Sequence, residues 1–289
     1  MSKQMADHFI GKEGDKQKQL RVLVFQAHPD DPDTTCGGVS ALYSRLGHKV
    51  KLITVTNGDA GHPEMGGVNL ARRRRNEAAA SGKTLGVEYV TWDNHDSVLE
   101  PTLNIRHAIV KEIREFEPDL IMTHRPYDYH PDHRAVSILV QDAIGVLCVP
   151  NIVLDPPNRR YTPSVVYTWD NFKKPYAFIP DIVVGVDEVI DTKVDAMHCH
   201  KSQYYELFPH NKAFMGEVPE DDAERRDWLF DWYTPKDQRV ASMYRQRLGE
   251  LYGEDKATGI KHAEAFERCE YGAPISDEQI PDLFPFFGG

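Results

Sequence analysis

Four short apolar runs, each separated from the next by a segment of helical spacing, constrain this chain more than any other feature. They are "RVLVFQA" (21–27), "KVKLITVTN" (49–57), "VEYVTWD" (87–93) and "DLIMTHRP" (119–126). Runs of this kind, apolar on successive residues, are expected of strands covered on both faces. Between them, "CGGVSALYSRLGH" (36–48), "NLARRRRNEAAASGKTLG" (69–86) and "NIRHAIVKEIREFEP" (104–118) carry helical spacing. The alternation predicts an α/β fold: a mostly parallel sheet with helices on both faces. Beyond residue 150 the pattern loosens. "SVVYTWDNF" and "DIVVGV" read as further strands, 186–208 as a helix, and a last helix is expected around 236–252. The expected organisation is a polar arm over 1–19, one domain over 20–208, and an extension over 209–289 packed on the same domain.

In such sheets ligands bind past the carboxyl ends of the strands. Two polar clusters fall there: "FQAHPDDPDTTCGG" after the first strand and "RPYDYHPDHR" after the fourth. His28 and Asp31 can face one centre if the chain turns after the strand, and "HPDH" (130–133) brings two more imidazoles. Two nitrogens and one carboxylate oxygen around an open position suit a catalytic zinc, though the same donors suit Fe2+ or another divalent ion. With His28, Asp31 and His133 as ligands, Asp30 is the candidate general base for metal-activated water. His130 is the candidate donor to a developing oxyanion, with Asp132 orienting its imidazole. Either motif alone would read as a surface loop or an Asp-rich turn. Their shared position at two strand ends carries the metal reading.

At these residues the chain resembles the PIG-L/LmbE-like zinc-dependent N-acetylglucosaminyl deacetylases, whose pattern is A-H-P-D-D followed about a hundred residues later by H-x-D-H. "TNGDAG" (56–61), "RNEAAASGKTLGV" (75–87) and "HKSQYY" (200–205) match as well. The resemblance covers roughly residues 20–206. It implies a Rossmann-like fold and zinc on His28, Asp31 and His133. It also implies Asp30 as general base and His130 as oxyanion stabiliser partnered by Asp132. Arg74, in the family's R-x-x-E, becomes a substrate contact, and His200 matches a late family histidine placed among the substrate-binding residues. Two positions depart from the pattern. Pro32 replaces the usual glutamate after the two aspartates, and Asp128 stands where some members carry tyrosine, so Asp128 is a candidate partner for an amine or sugar hydroxyl.

The expected activity is removal of an acetyl group from an N-acetylated, GlcNAc-type amino sugar or its conjugate. An amidase of another acyl-amine, a thiol-sugar conjugate or a glycopeptide is the alternative on the same metal site. A binding module without turnover has no need of a carboxylate beside an open metal position. The formal net charge of −11 argues against a nucleic-acid partner. "SILVQDAIGVLCVPNIVL" is interrupted by Gln141, Asp142 and Asn151, so no membrane span is expected. The first 20 residues lack a signal-like pattern, and the four cysteines are widely spaced, which points to the cytoplasm. The resemblance allows a homo-oligomer. "RRRR" (72–75) points around a helix and cannot converge on one ligand. "GKT" (82–84) lacks the glycine of a phosphate loop, and no G-x-G-x-x-G follows the first strand. The tryptophans and tyrosines 204, 205 and 233 are expected mainly in the core.

Overall fold

The four expected strands form β1 (Arg21–Gln26), β2 (Lys49–Thr56), β3 (Glu88–Asn94) and β4 (Leu120–Thr123). They come from a computed structural model that describes residues 18–158 and 160–287. Most of the arm expected over 1–19 lies outside these residues. The intervening helices are α1 (Asp31–Arg45), α2 (Gly67–Leu85) and α3 (Leu103–Phe116), followed by α4 (Pro131–Val146). β5 (Ser164–Thr168) and β6 (Ile182–Gly185) follow, then α5 (Ile190–His198) and a short α6 (Phe208–Asn211). The long helices α7 (Asp222–Met243) and α8 (Arg245–Tyr252) precede a last strand, β7 (Ala263–Arg268). The strand order is β3-β2-β1-β4-β5-β7-β6. The first five are parallel, in register such as Val24 opposite Leu52 and Met122, and β7 is antiparallel to both its neighbours.

Period-2 alternation sends β1 side chains into two cores. Val22 and Val24 pack with Leu52, Met122 and Val166 beneath Val39, Leu42 and Tyr43 of α1. Leu23 and Phe25 pack with Ile53, Ile121 and Val165 beneath Ile109 and Ile113 of α3 and Val136 and Val140 of α4. Each such fully buried aliphatic side chain contributes roughly 1.5–3 kcal/mol, which is why a double-faced apolar run must be an inner strand. The chain runs from β1 outward to β2 and β3, then returns to lay β4 on the other side of β1. The order therefore reverses between β1 and β4, where the loops after the two strands diverge and leave a crevice.

Three elements differ from the sequence expectation. α1 starts at Asp31 instead of Cys36, with Pro32 in its first turn, and it kinks at Cys36 (φ −148°). The helix expected over 186–208 breaks after α5, and Ser202–Leu207 continues as a π-helical turn. α7 begins at Asp221, whose carboxylate caps the amides of Ala223 and Glu224, and the helix runs through Pro235. The extension over 209–289 also supplies β7, inside the sheet between β5 and β6. β7 escapes a hydropathy reading because it carries Glu264 and Glu267 into buried positions. There they meet Lys193 (2.8 Å) and Arg125 (3.1 Å). Glu264 also accepts the Gly38 and Val39 amides, both at 2.8 Å, just beyond the α1 kink.

Candidate metal centre and active site

Beyond the end of β1, the chain turns sharply into α1 and points His28 and Asp31 toward the loop that follows β4. Three donor atoms meet there. His28 Nδ1 lies 3.2 Å from Asp31 Oδ2 and 3.2 Å from His133 Nε2, and that nitrogen lies 3.3 Å from the same Asp31 oxygen. Tetrahedral coordination at the usual zinc–nitrogen and zinc–oxygen distances sets donors about 3.3 Å apart, so this triangle has the size of one face of such a site. Two imidazole nitrogens and a carboxylate oxygen facing one another are donor types that a divalent cation takes. The donor set therefore fits a divalent metal.

The outer atoms of both rings are held by carboxylates. His28 Nε2 lies 3.1 Å from Asp132 Oδ2 and 3.1 Å from Asp96 Oδ1. His133 Nδ1 lies 3.0 Å from Asp128 Oδ1, without hydrogen-bond alignment. This is the arrangement that fixes the tautomer of a metal-ligating histidine. Burial works against charge on both rings. The Asp132 and Asp31 carboxylates nonetheless raise the His28 pKa well above the ordinary imidazole value, and Asp31 with Asp128 raises that of His133 to about 9. For Asp31, burial opposes ionisation but His133, His124 and His28 hold the carboxyl well below its usual range. The pocket is built to hold positive charge. His124 stacks on His133 (centroids 4.0 Å apart), but its Nε2 accepts the Ala27 amide at 3.0 Å, which leaves it a poor ligand.

Asp30 stands between Pro29 and Asp31 in an unusual backbone conformation, φ 130° and ψ −26°, of a kind costing on the order of 1–3 kcal/mol. One of its oxygens accepts from Arg74 at 2.8 Å. Burial pushes its pKa up to about 6, against the lowering effect of the Arg74 guanidinium. His130 is the N-cap of α4, where its Nδ1 accepts the Asp132 amide at 3.2 Å. A neutral ring then carries its proton on Nε2. Burial, with His28 and His133 nearby, lowers the His130 pKa and favours that neutral form.

Four of the expected site residues have the following partners in the structure. Asp132 does not orient His130 through its carboxylate; from the first turn of α4 that group reaches back to His28 and to the amides of Ser97 (2.7 Å) and Leu99 (3.1 Å). Asp128 faces His133 and caps the His130 amide at 2.9 Å. Arg74 is only 2% exposed, and donates to Asp30, to the Pro29 carbonyl (2.7 Å) and to the Gly58 carbonyl (3.1 Å). A Cβ at Gly58 would collide with that guanidinium. His200 is fully buried with its Nε2 3.0 Å from Asp33, one layer behind Asp30. Arg74 thus packs against the Pro29–Asp30 loop and His200 against Asp33. Asp96 was missed, although it follows β3 and the strand-end rule that found the two motifs applies to it equally.

A parallel sheet with a two-histidine, one-carboxylate cluster at its switch point defines the LmbE-like class of α/β fold. Residues 23–144 match the family model described as PIG-L, GlcNAc-PI de-N-acetylase. The chain is 29% identical to the diacetylchitobiose deacetylase of Thermococcus kodakarensis over 240 residues, 81% of each protein. Among solved structures it is similar to the N,N'-diacetylchitobiose deacetylase of Pyrococcus horikoshii (TM-score 0.64, 23% identity, 93% of each chain). It is also similar to the 4-carboxy-2-hydroxymuconate hydratase GalB of Pseudomonas putida (TM-score 0.69, 19% identity, 89% of this chain and 99% of that one). At those identities the structures show the fold, and a hydratase among them shows that the fold alone does not set the reaction.

Proposed function

We propose that the protein is a zinc-dependent hydrolase that removes the acetyl group from an N-acetylated, GlcNAc-type amino sugar or its conjugate. His28, Asp31 and His133 hold the metal, and Asp30 is the general base. The observation that carries this reading is the 3.2–3.3 Å donor triangle with a buried carboxylate next to it in the chain. The relatives named as deacetylases of diacetylchitobiose support the substrate class. A divalent cation held there supplies Lewis acidity to an acetamide carbonyl and acidifies water.

This chain's residues do the rest. Asp30, with its pKa near 6, accepts the proton of the attacking water, and Arg74 keeps the carboxylate ionised beforehand and aimed. His130 donates from Nε2 to the oxygen that gains charge as the carbonyl becomes tetrahedral. The carboxyl of Asp30, now protonated, returns its proton to the departing amine, giving acetate and the free amino sugar. All four cysteines are unpaired, which supports a reducing compartment such as the cytoplasm. No helix among the described residues is long and apolar enough to cross a membrane.

The test combines zinc analysis with acetate release from N-acetylglucosamine and N,N'-diacetylchitobiose. One zinc per chain, turnover abolished by chelation and restored by zinc, and turnover reduced by at least about 1000-fold in Asp30→Ala are expected. Full turnover by Asp30→Ala would refute the role given to that residue.

A further inference from the structure

Asp30 makes no capping bond with its own side chain at the start of α1, yet it holds a positive φ that a residue with a Cβ rarely adopts. Something outside the loop maintains that conformation. Arg74 reaches its carboxylate and the Pro29 carbonyl. The Asp30 backbone has a different partner: its N–H donates to the hydroxyl of Tyr89, on β3, at 3.2 Å. That hydroxyl in turn donates to Asp33 Oδ2 at 3.2 Å.

Asp33 is wholly buried and anchored from two further elements. Ser81 of α2 donates to its Oδ1, and His200, beyond α5, sets Nε2 3.0 Å from its Oδ2. Asp33 sits one residue after Pro32, the position at which the chain departs from the family pattern. The result is a chain of contacts from three separate elements that ends on a single peptide N–H, the one beside the base.

We propose that Tyr89 is a positioning residue for the reaction: braced by Asp33, Ser81 and His200, its hydroxyl pins the Asp30 backbone so that the carboxylate projects beside the metal ligands. This rests on the reading of Asp30 as general base. Two holds then act on one residue, Arg74 on the side chain and Tyr89 on the main chain. Without the second, the peptide is free to relax to negative φ and swing the carboxylate off line, and a misplacement of about 1 Å is enough to slow catalysis on the order of 100-fold. Metal content would change little, because the Tyr89 hydroxyl bonds Asp30 N and Asp33, not the side chains of His28, Asp31 or His133.

The experiment uses zinc-loaded full-length protein and N,N'-diacetylchitobiose, with Tyr89→Phe, Asp33→Asn and Asp30→Ala measured side by side. Tyr89→Phe deletes one hydroxyl and keeps the ring. Its kcat is expected to fall roughly 10- to 100-fold, with KM within about twofold and zinc content unchanged. A crystal structure of this variant is expected to show Asp30 relaxed out of its positive φ. Asp33→Asn keeps an acceptor for Tyr89 and is expected to retain kcat within about threefold. A Tyr89→Phe enzyme whose Asp30 keeps φ near 130°, or whose kcat is unaltered while Asp30→Ala is inactive, overturns the inference. Retained turnover by Asp30→Ala sinks the general-base reading instead, and the backbone of Asp30 in the Tyr89→Phe crystal still decides whether Tyr89 holds it.

Discussion

The two loops that build the site are held in opposite ways. The loop after β4 is its own scaffold: His130 caps α4, Asp128 caps the His130 amide, and Arg134 donates to the Asp128 carbonyl at 2.6 Å. The loop after β1 is held from elsewhere, by Arg74 of α2, by Tyr89 of β3, and by His124 at the Ala27 amide. Self-contained turns settle by local hydrogen bonds and tolerate distant change. A strained segment persists only where surrounding structure over-determines it. Asp30 therefore depends on neighbouring elements for its backbone conformation, whereas the turn over 128–130 is set locally and the histidine segment is tied to the sheet end through Asp132.

Removing the external hold should have the largest effect. Arg74→Ala leaves a buried carboxylate and two carbonyls without a donor. Loss of about 3–5 kcal/mol of stability is expected, read by denaturant titration, together with a fall in kcat of at least about 100-fold. On the other loop, His130→Asn preserves an N-cap while deleting the ring donor. Here kcat should drop roughly 100-fold with the melting temperature nearly unmoved, a split that separates capping from catalysis. Equal losses in stability and rate would erase the distinction between the loops. Asp128→Asn should weaken zinc about 10- to 100-fold in competition with a chelator, with little change in fold stability. The smallest effect belongs to Arg72→Ala. Among the described residues this exposed side chain donates to Asn69, at 2.8 Å, and its loss should shift stability by less than about 0.5 kcal/mol.

The same contrast marks how far the residues could be read without coordinates. Val22 to Phe25 alternate between two apolar cores, so β1 and its neighbours follow from composition and period. The ligand triangle was legible because His28, Asp31 and His133 lie on local turns just after strand ends. Partner assignments were not. Asp132 is two residues from His130 yet bonds His28, because a side chain in the first turn of a helix projects back past the helix start, a direction that spacing does not encode. Arg74 and His200 carry polar groups that look available in sequence, and the fold consumes them in burial against Asp30 and Asp33. β7 was hidden for the same reason: Glu264 and Glu267 are intelligible in an inner strand only once Lys193 and Arg125 are known to face them.

The place of β7 has a consequence for biogenesis. β5 and β6 are not neighbours in the sheet, and the strand that joins them comes after both in the chain. Without it, a chain presents two open strand edges, with Arg125 and Lys193 each left one carboxylate, Asp170 and Asp237, in place of two. A polypeptide truncated before residue 263 would thus lose more than a terminal ornament: it would be a template for edge-to-edge aggregation.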